Sequence, residues 1–236
     1  MTTDIHLTPL ADGVFGLESS LRVVPGFHLP VRCTVLRLRT GGLMLISPLA
    51  ITDALAAELE QLGPVEHLVA PNRLHHLFLD QAVSRWPQAQ VHLAPGLPEK
   101  LAKLRRPVPA HSVLPDGLPD DVTGVLLAGT PMLGECLLFH PASKTLVVTD
   151  FVFHVREPKG LLTGLILRAV GARGVFAQSS EVRHMMRDKP AAAASAREVL
   201  ALDFTRVVMA HGDVVEVKAK PRLHAALEKM LRAGER

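Results

Sequence analysis

The sequence predicts a layered α/β fold, two sheets packed face to face with helices outside, as a single domain over residues 1–236. Three observations carry this. The chain has 236 residues, enough to bury a sizeable core. Hydrophobic residues make up 48% and charged residues 21%, a balance that excludes a disordered polymer. Its elements fall into two blocks, each opening with strands and then alternating helix with strand. A doubly wound sheet, the alternative, would alternate from the start.

The first block begins with a short apolar strand, Val14–Leu17, and reads Phe27-His28-Leu29-Pro30 as a loop. Cys33–Leu38 and Leu43–Ile46 form a hairpin around Gly41-Gly42. Thr52 caps a helix whose Leu55, Leu59 and Leu62 share one face, and Gly63-Pro64 ends it. A strand at Val65–Ala70, a helix near Leu77–Arg85, a strand at Gln90–Leu93 and a helix after Pro98 follow. The stretch from Arg105 to Asp121 carries four Pro and reads as an excursion. The second block has strands at Val122–Leu127, Glu135–His140 and Lys144–Val148. Residues 151–188 give one apolar helix at Leu161–Val170 and little else. A helix begun by Pro190, a strand at Arg206–Ala210 and a helix begun by Pro221 close the chain.

Composition narrows the partners. Eight Phe, one Trp and no Tyr leave few stacking platforms for single-stranded nucleic acid. Net charge is +3 with the basic residues scattered, so no nucleic-acid partner is expected. The most lipid-like stretch, Leu161 to Ala177, is broken by Arg168 and Arg173, so no membrane partner is expected either. Met1 to His6 lacks a basic start and an apolar run. Cys33 and Cys136 lie in no CxxC motif, and Cys136 reads as a buried small hydrophobe. These features fit a cytoplasmic protein acting on, or binding, a small molecule; oligomeric state is left open.

Twelve His is a high count, and their positions are informative. Pro71-Asn72-Arg73-Leu74-His75-His76, Thr149-Asp150 and Ala210-His211-Gly212-Asp213 each follow a predicted strand, where α/β folds place ligands. Glu135 opens another strand. Adjacent His75 and His76 can send one imidazole inward and one outward; each also has a bland reading, as a cap or loop hydrogen bond. No GxSxG elbow, no GxxxxGK[ST] loop and no dinucleotide fingerprint in context is present.

Leu68-Val69-Ala70-Pro71-Asn72 with His75-His76, Leu146–Asp150 and Ala210–Asp213 resemble a metallo-β-lactamase-fold protein. With Ser47-Pro48 added, the likeness narrows to an uncharacterised bacterial and plant branch of that superfamily and runs roughly from Gly13 to Val215. It implies a four-layer αβ/βα sandwich with a one- or two-metal site. It also implies hydrolysis of lactams, thioesters, phosphodiesters or lactones by metal-activated water. Against the superfamily's first motif, Thr-His-x-His-x-Asp-His, Asn72 and Leu74 stand at the first two His, His76 at the Asp and Leu77 at the last His. Thr130 to Glu135 holds no His, while Asp150 and His211 match the bridging Asp and the final His. The resemblance therefore implies a mononuclear centre of His75 or His76 with Asp150 and His211, and Glu135 as a fourth oxygen. The metal is Zn, Fe or Mn. Asp150 or a neighbouring carboxylate would orient water and Asn72 would donate to a developing oxyanion. The expected function is hydrolysis of a small ester, thioester or phosphoester. The alternatives are a non-catalytic member of the fold binding a small molecule or protein, or a polar network fixing the sheet edges.

Overall fold

In the computed structural model, which describes residues 5–178 and 180–234, the first sheet has seven strands in sequence order. They are β1 (Leu7–Ala11), β2 (Val14–Val24), β3 (Phe27–Arg37), β4 (Leu43–Ile46), β5 (Val65–Ala70), β6 (Gln90–Leu93) and β7 (Ser112–Val113). β1 to β4 pair antiparallel, and β4 to β7 run parallel. β2 and β3 are each 11 residues long, where the sequence suggested a short strand and a loop at 27–30. Their outer halves extend past the core, so Ser19, Ser20 and Arg22 show no apolar alternation to betray the strand. Backbone pairing carries them to Val24↔Phe27, and Gly26 turns the chain at φ +82°.

Three helices, α1 (Asp53–Leu62), α2 (Leu79–Arg85) and α3 (Leu97–Lys103), connect the parallel strands. Thr52 Oγ1 accepts from Leu55 N at 3.3 Å, the cap that the sequence placed there. Leu55 and Leu59 bury against Leu43, Leu45 and Leu68 on the sheet's outer face. Each such fully buried Leu contributes roughly 1.5–3 kcal/mol.

The second sheet comprises β8 (Thr123–Leu126), β9 (Cys136–His140), β10 (Thr145–Val148) and β11 (Arg206–Met209), in spatial order β11-β10-β9-β8. Its helices are α4 (Leu161–Ala169), α5 (Ser180–Met185), α6 (Lys189–Ala201) and α7 (Ala219–Ala233). Strand periodicity divides β9 between two cores. Leu137 and Phe139 join the cluster holding Ala192, Ala196, Leu223 and Leu227 of α6 and α7. Cys136 and Leu138 join Met44, Ile46 and Val69 of the first sheet. Helices thus cover the outer faces while the inner faces meet, giving an αβ/βα sandwich rather than one doubly wound sheet. Cys33 and Cys136 are both buried and unpaired.

Arg32 ties the sheets together at one edge. Its Nη1 donates to the Met209 carbonyl at 2.5 Å and its Nη2 to Glu18 Oε1 at 2.7 Å. Elsewhere in the first sheet, His67 Nδ1 and His92 Nε2 lie 2.9 Å apart, and His92 Nδ1 is 2.8 Å from Ser112 Oγ. Burial, then the neighbouring His67, lowers His92 from 6.5 to about 4. The unfolded chain therefore takes up a proton near pH 6.5 that the folded chain refuses until about 4. Stability is expected to fall as pH drops through that window. His92→Asn should flatten the fall in urea titrations; an unchanged slope would remove His92 as a cause.

Candidate metal centre

Three strands, β5 of the first sheet and β10 and β11 of the second, bring the site together where the two sheets meet. The loop after β5 carries His75, the residues after β10 carry Asp150, and the turn after β11 carries His211. These are the one His/Cys/Asp/Glu group of three or more among the described residues whose ligand atoms lie within 4.8 Å of one another. His75 Nε2 is 3.2 Å from Asp150 Oδ2, and His211 Nε2 is 3.2 Å from Asp150 Oδ1. The two Nε2 atoms are themselves 3.2 Å apart.

The far nitrogen of each ring is held from behind. His211 Nδ1 lies 2.8 Å from the Pro30 carbonyl. A carbonyl only accepts, so Nδ1 carries hydrogen and Nε2 is the atom that faces Asp150, where a metal would replace its hydrogen. His75 Nδ1 lies 2.6 Å from Ser47 Oγ. Ser47 follows β4 with φ +59°, an uncommon conformation for a non-glycine residue, fixed by its N–H on the Val69 carbonyl at 2.8 Å. Phe153 stacks on His211 at 5.0 Å between centroids. Gly212 explains the turn: at φ +108°, a Cβ there would meet the His154 carbonyl at 2.2 Å.

Asp150 is buried, which on its own raises a carboxyl pKa. The charge on His75 and the hydrogen bonds from His211 and His75 outweigh this and hold it well below the ordinary range. Burial opposes charge on His75 too, and Asp150 overcomes it, raising that imidazole's pKa. A carboxylate and two imidazoles thus compress around one point, where a positive charge is favoured. Two imidazole nitrogens and a carboxylate oxygen suit a divalent transition metal, so the residues present fit such an ion.

The structure separates the adjacent histidines. His75 turns inward, whereas His76 turns away and its Nδ1 lies 3.0 Å from Arg106 Nη1. Burial and the charges of Lys100 and Arg106 lower His76 to about 4. His76 is therefore not among the converging ligand atoms, correcting the choice left open between the two. Glu135 is also corrected as a fourth ligand. Its Oε1 accepts from Thr149 N at 2.7 Å and its Oε2 from Asp150 N at 2.9 Å, so it anchors the loop that presents Asp150.

Asn72 differs from expectation in the same way. It is fully buried. Its Nδ2 lies 2.7 Å from Asp150 Oδ2 and 2.9 Å from Thr149 Oγ1, while its Oδ1 accepts from Leu74 N and His75 N, each at 2.8 Å. With both ends engaged it cannot double as an oxyanion donor; it fixes His75 relative to Asp150.

Sequence reasoning gave no role to Ser47, Pro30 or Phe153. Ser47 was detectable, since it follows a strand as the other site groups do; Pro30 acts through its carbonyl, which no residue type reveals. A cleft of about 460 Å³ adjoins the centre, with Pro30, Arg32, Ala210 and Gly212 among its walls. Its walls include the residues on either side of His211, but not His211, His75 or Asp150 themselves.

A family model described as a domain of unknown function (DUF4336) matches residues 12–101. No protein of curated function matches the chain. Solved structures match over nearly the whole length. DIM-1 metallo-beta-lactamase exposed to ceftazidime superposes with a TM-score of 0.68 at 13% identity, covering 97% of this chain and 99% of that one. FIM-1 metallo-beta-lactamase from Pseudomonas aeruginosa, in a mono-zinc form, gives 0.60 at 12% identity over 99% and 96%. The Flv1 flavodiiron core from Synechocystis sp. PCC6803 gives 0.63 at 16%, covering 97% of this chain and 61% of that one.

Proposed function

We propose that this chain, which has the metallo-β-lactamase fold, is a metal-dependent hydrolase with a mononuclear centre held by His75, Asp150 and His211. The observation that carries the reading is the convergence of their ligand atoms, with each imidazole braced through its other nitrogen. Zn, Fe and Mn all accept this donor set. Such a cation supplies Lewis-acid activation of water or of a substrate oxygen near neutral pH.

The chain's own residues supply the rest. With a cation in place of a proton, His75 and His211 would each offer an Nε2 lone pair, oriented by Ser47 and Pro30. Asp150 supplies the negative charge and an oxygen toward which a water can be aligned. Asn72 and Glu135 hold the Asp150 loop in place as positioning residues. The substrate class is a small ester, thioester or phosphoester, electrophiles within reach of this donor set.

A second reading is favoured by one observation: Asp150 is already satisfied by His75, His211 and Asn72. On that reading the group is a polar network and the protein a non-catalytic member of the fold, binding a small molecule or a protein.

Hydrolysis tests the proposal. Protein loaded separately with Zn, Fe and Mn should cleave a nitrophenyl ester, a thioester or a nitrophenyl phosphodiester above the rate of Asp150→Ala. His76→Ala, outside the centre, should keep both metal and rate. Equal rates for wild type and Asp150→Ala across all three substrates would contradict hydrolysis. Loss of metal in His76→Ala would contradict the ligand assignment.

A further inference from the structure

We propose that the face formed by α4 and the tip of the β2–β3 hairpin docks this protein onto an anionic lipid bilayer. The sequence argued against a membrane partner because no apolar run was long enough. Among the described residues no helix is long and apolar enough to cross a membrane. Lying on a bilayer requires something else, an exposed apolar face rimmed by cations.

That face is present. On α4, Leu161 is 90% exposed, Leu165 62% and Leu162 39%, while Thr163, Gly164 and Leu167 turn inward. The hairpin tip adds Val23 and Val24, both exposed. Tip and helix form one surface: a Cβ on Gly26 would lie 3.5 Å from Leu162 Cδ2, and His28 N donates to Thr163 Oγ1 at 2.9 Å. Apolar side chains gathered in this way mark an interaction surface, whereas scattered ones would not.

Charge selects the occupant. Arg156, Arg168 and Arg173 line a shallow depression beside α4. Arg156 pairs with Asp213, but neither Arg168 nor Arg173 has a carboxylate partner among the described residues. Arg22 and Lys159 are exposed nearby. A second copy of the chain, meeting this face about a two-fold axis, would set these cations against their like. An anionic bilayer offers phosphates to the cations and an acyl region to the leucines. The inference does not depend on the metal centre.

Co-sedimentation of the full chain with phosphatidylcholine vesicles, with and without phosphatidylglycerol, tests it. The protein should pellet with the anionic vesicles and be released by high salt. Leu161→Glu with Leu165→Glu, and separately Arg168→Glu with Arg173→Glu, should lower the bound fraction about tenfold or more while circular dichroism is unchanged. No binding, equal binding to both vesicle types, variants that bind like wild type, or a stable dimer dissolved by the leucine substitutions would each overturn the proposal.

Discussion

Replacing His211 by alanine is expected to abolish stoichiometric metal binding while the chain stays folded. His211 supplies one of three converging ligand atoms, and two are fewer than divalent catalytic sites use. The loss should exceed the roughly 10–100-fold that removal of an outer-sphere partner costs; Ser47→Ala, which frees only His75 Nδ1, should stay within that range. Stability suffers less. The substitution strands the Pro30 carbonyl and removes the stack on Phe153, a cost of about 1–3 kcal/mol. Equilibrium dialysis with elemental analysis, beside a thermal melt, separates the two effects. Full occupancy in His211→Ala would remove it from the site.

Glu135→Ala is expected to be the most destabilising single change near the centre. Its carboxylate accepts two backbone N–H groups, from Thr149 and Asp150, at a fully buried position. Without it both donors lose their partner, at about 1–3 kcal/mol each. Relief of repulsion between Glu135 and Asp150 offsets part of this, since each carboxylate disfavours charge on the other. A net loss of about 3 kcal/mol lowers the melting temperature by roughly 6–12 °C at this chain length. Glu135→Gln keeps one acceptor oxygen and should fall between. A melting temperature for Glu135→Ala within about 2 °C of wild type would contradict the anchoring role.

The layered fold was legible where apolar periodicity tracked burial. β4, β5, β10 and β11 are short apolar runs buried on both faces, and α1 and α7 carry leucines in phase. The outer halves of β2 and β3 were not legible, because pairing alone supports them there. Within residues 151–188 the apolar helix at Leu161–Val170 was legible and is α4, but the segments flanking it were not, for a related reason. They make isolated bridges such as Phe153↔Ala177 and His154↔Gly212, which leave no period in the sequence.

At the centre, the strand-end positions of Asp150 and His211 could be read directly. Choosing His75 over His76 could not, because partners distant in sequence make the choice. Arg106, 30 residues away, draws His76 aside, while Ser47, 28 residues away, holds His75. Asn72 and Glu135 look like ligands or donors by residue type. Their real commitments are to backbone N–H groups and to each other's neighbours, which only the folded chain displays.

The measurement that bears most directly on the central claim is the metal content of the untagged chain, purified without chelator and reconstituted in turn with Zn, Fe and Mn. A mononuclear centre at His75, Asp150 and His211 gives about one equivalent of at least one of these ions, absent from Asp150→Ala. No bound metal after reconstitution, or the same content in Asp150→Ala, would contradict it.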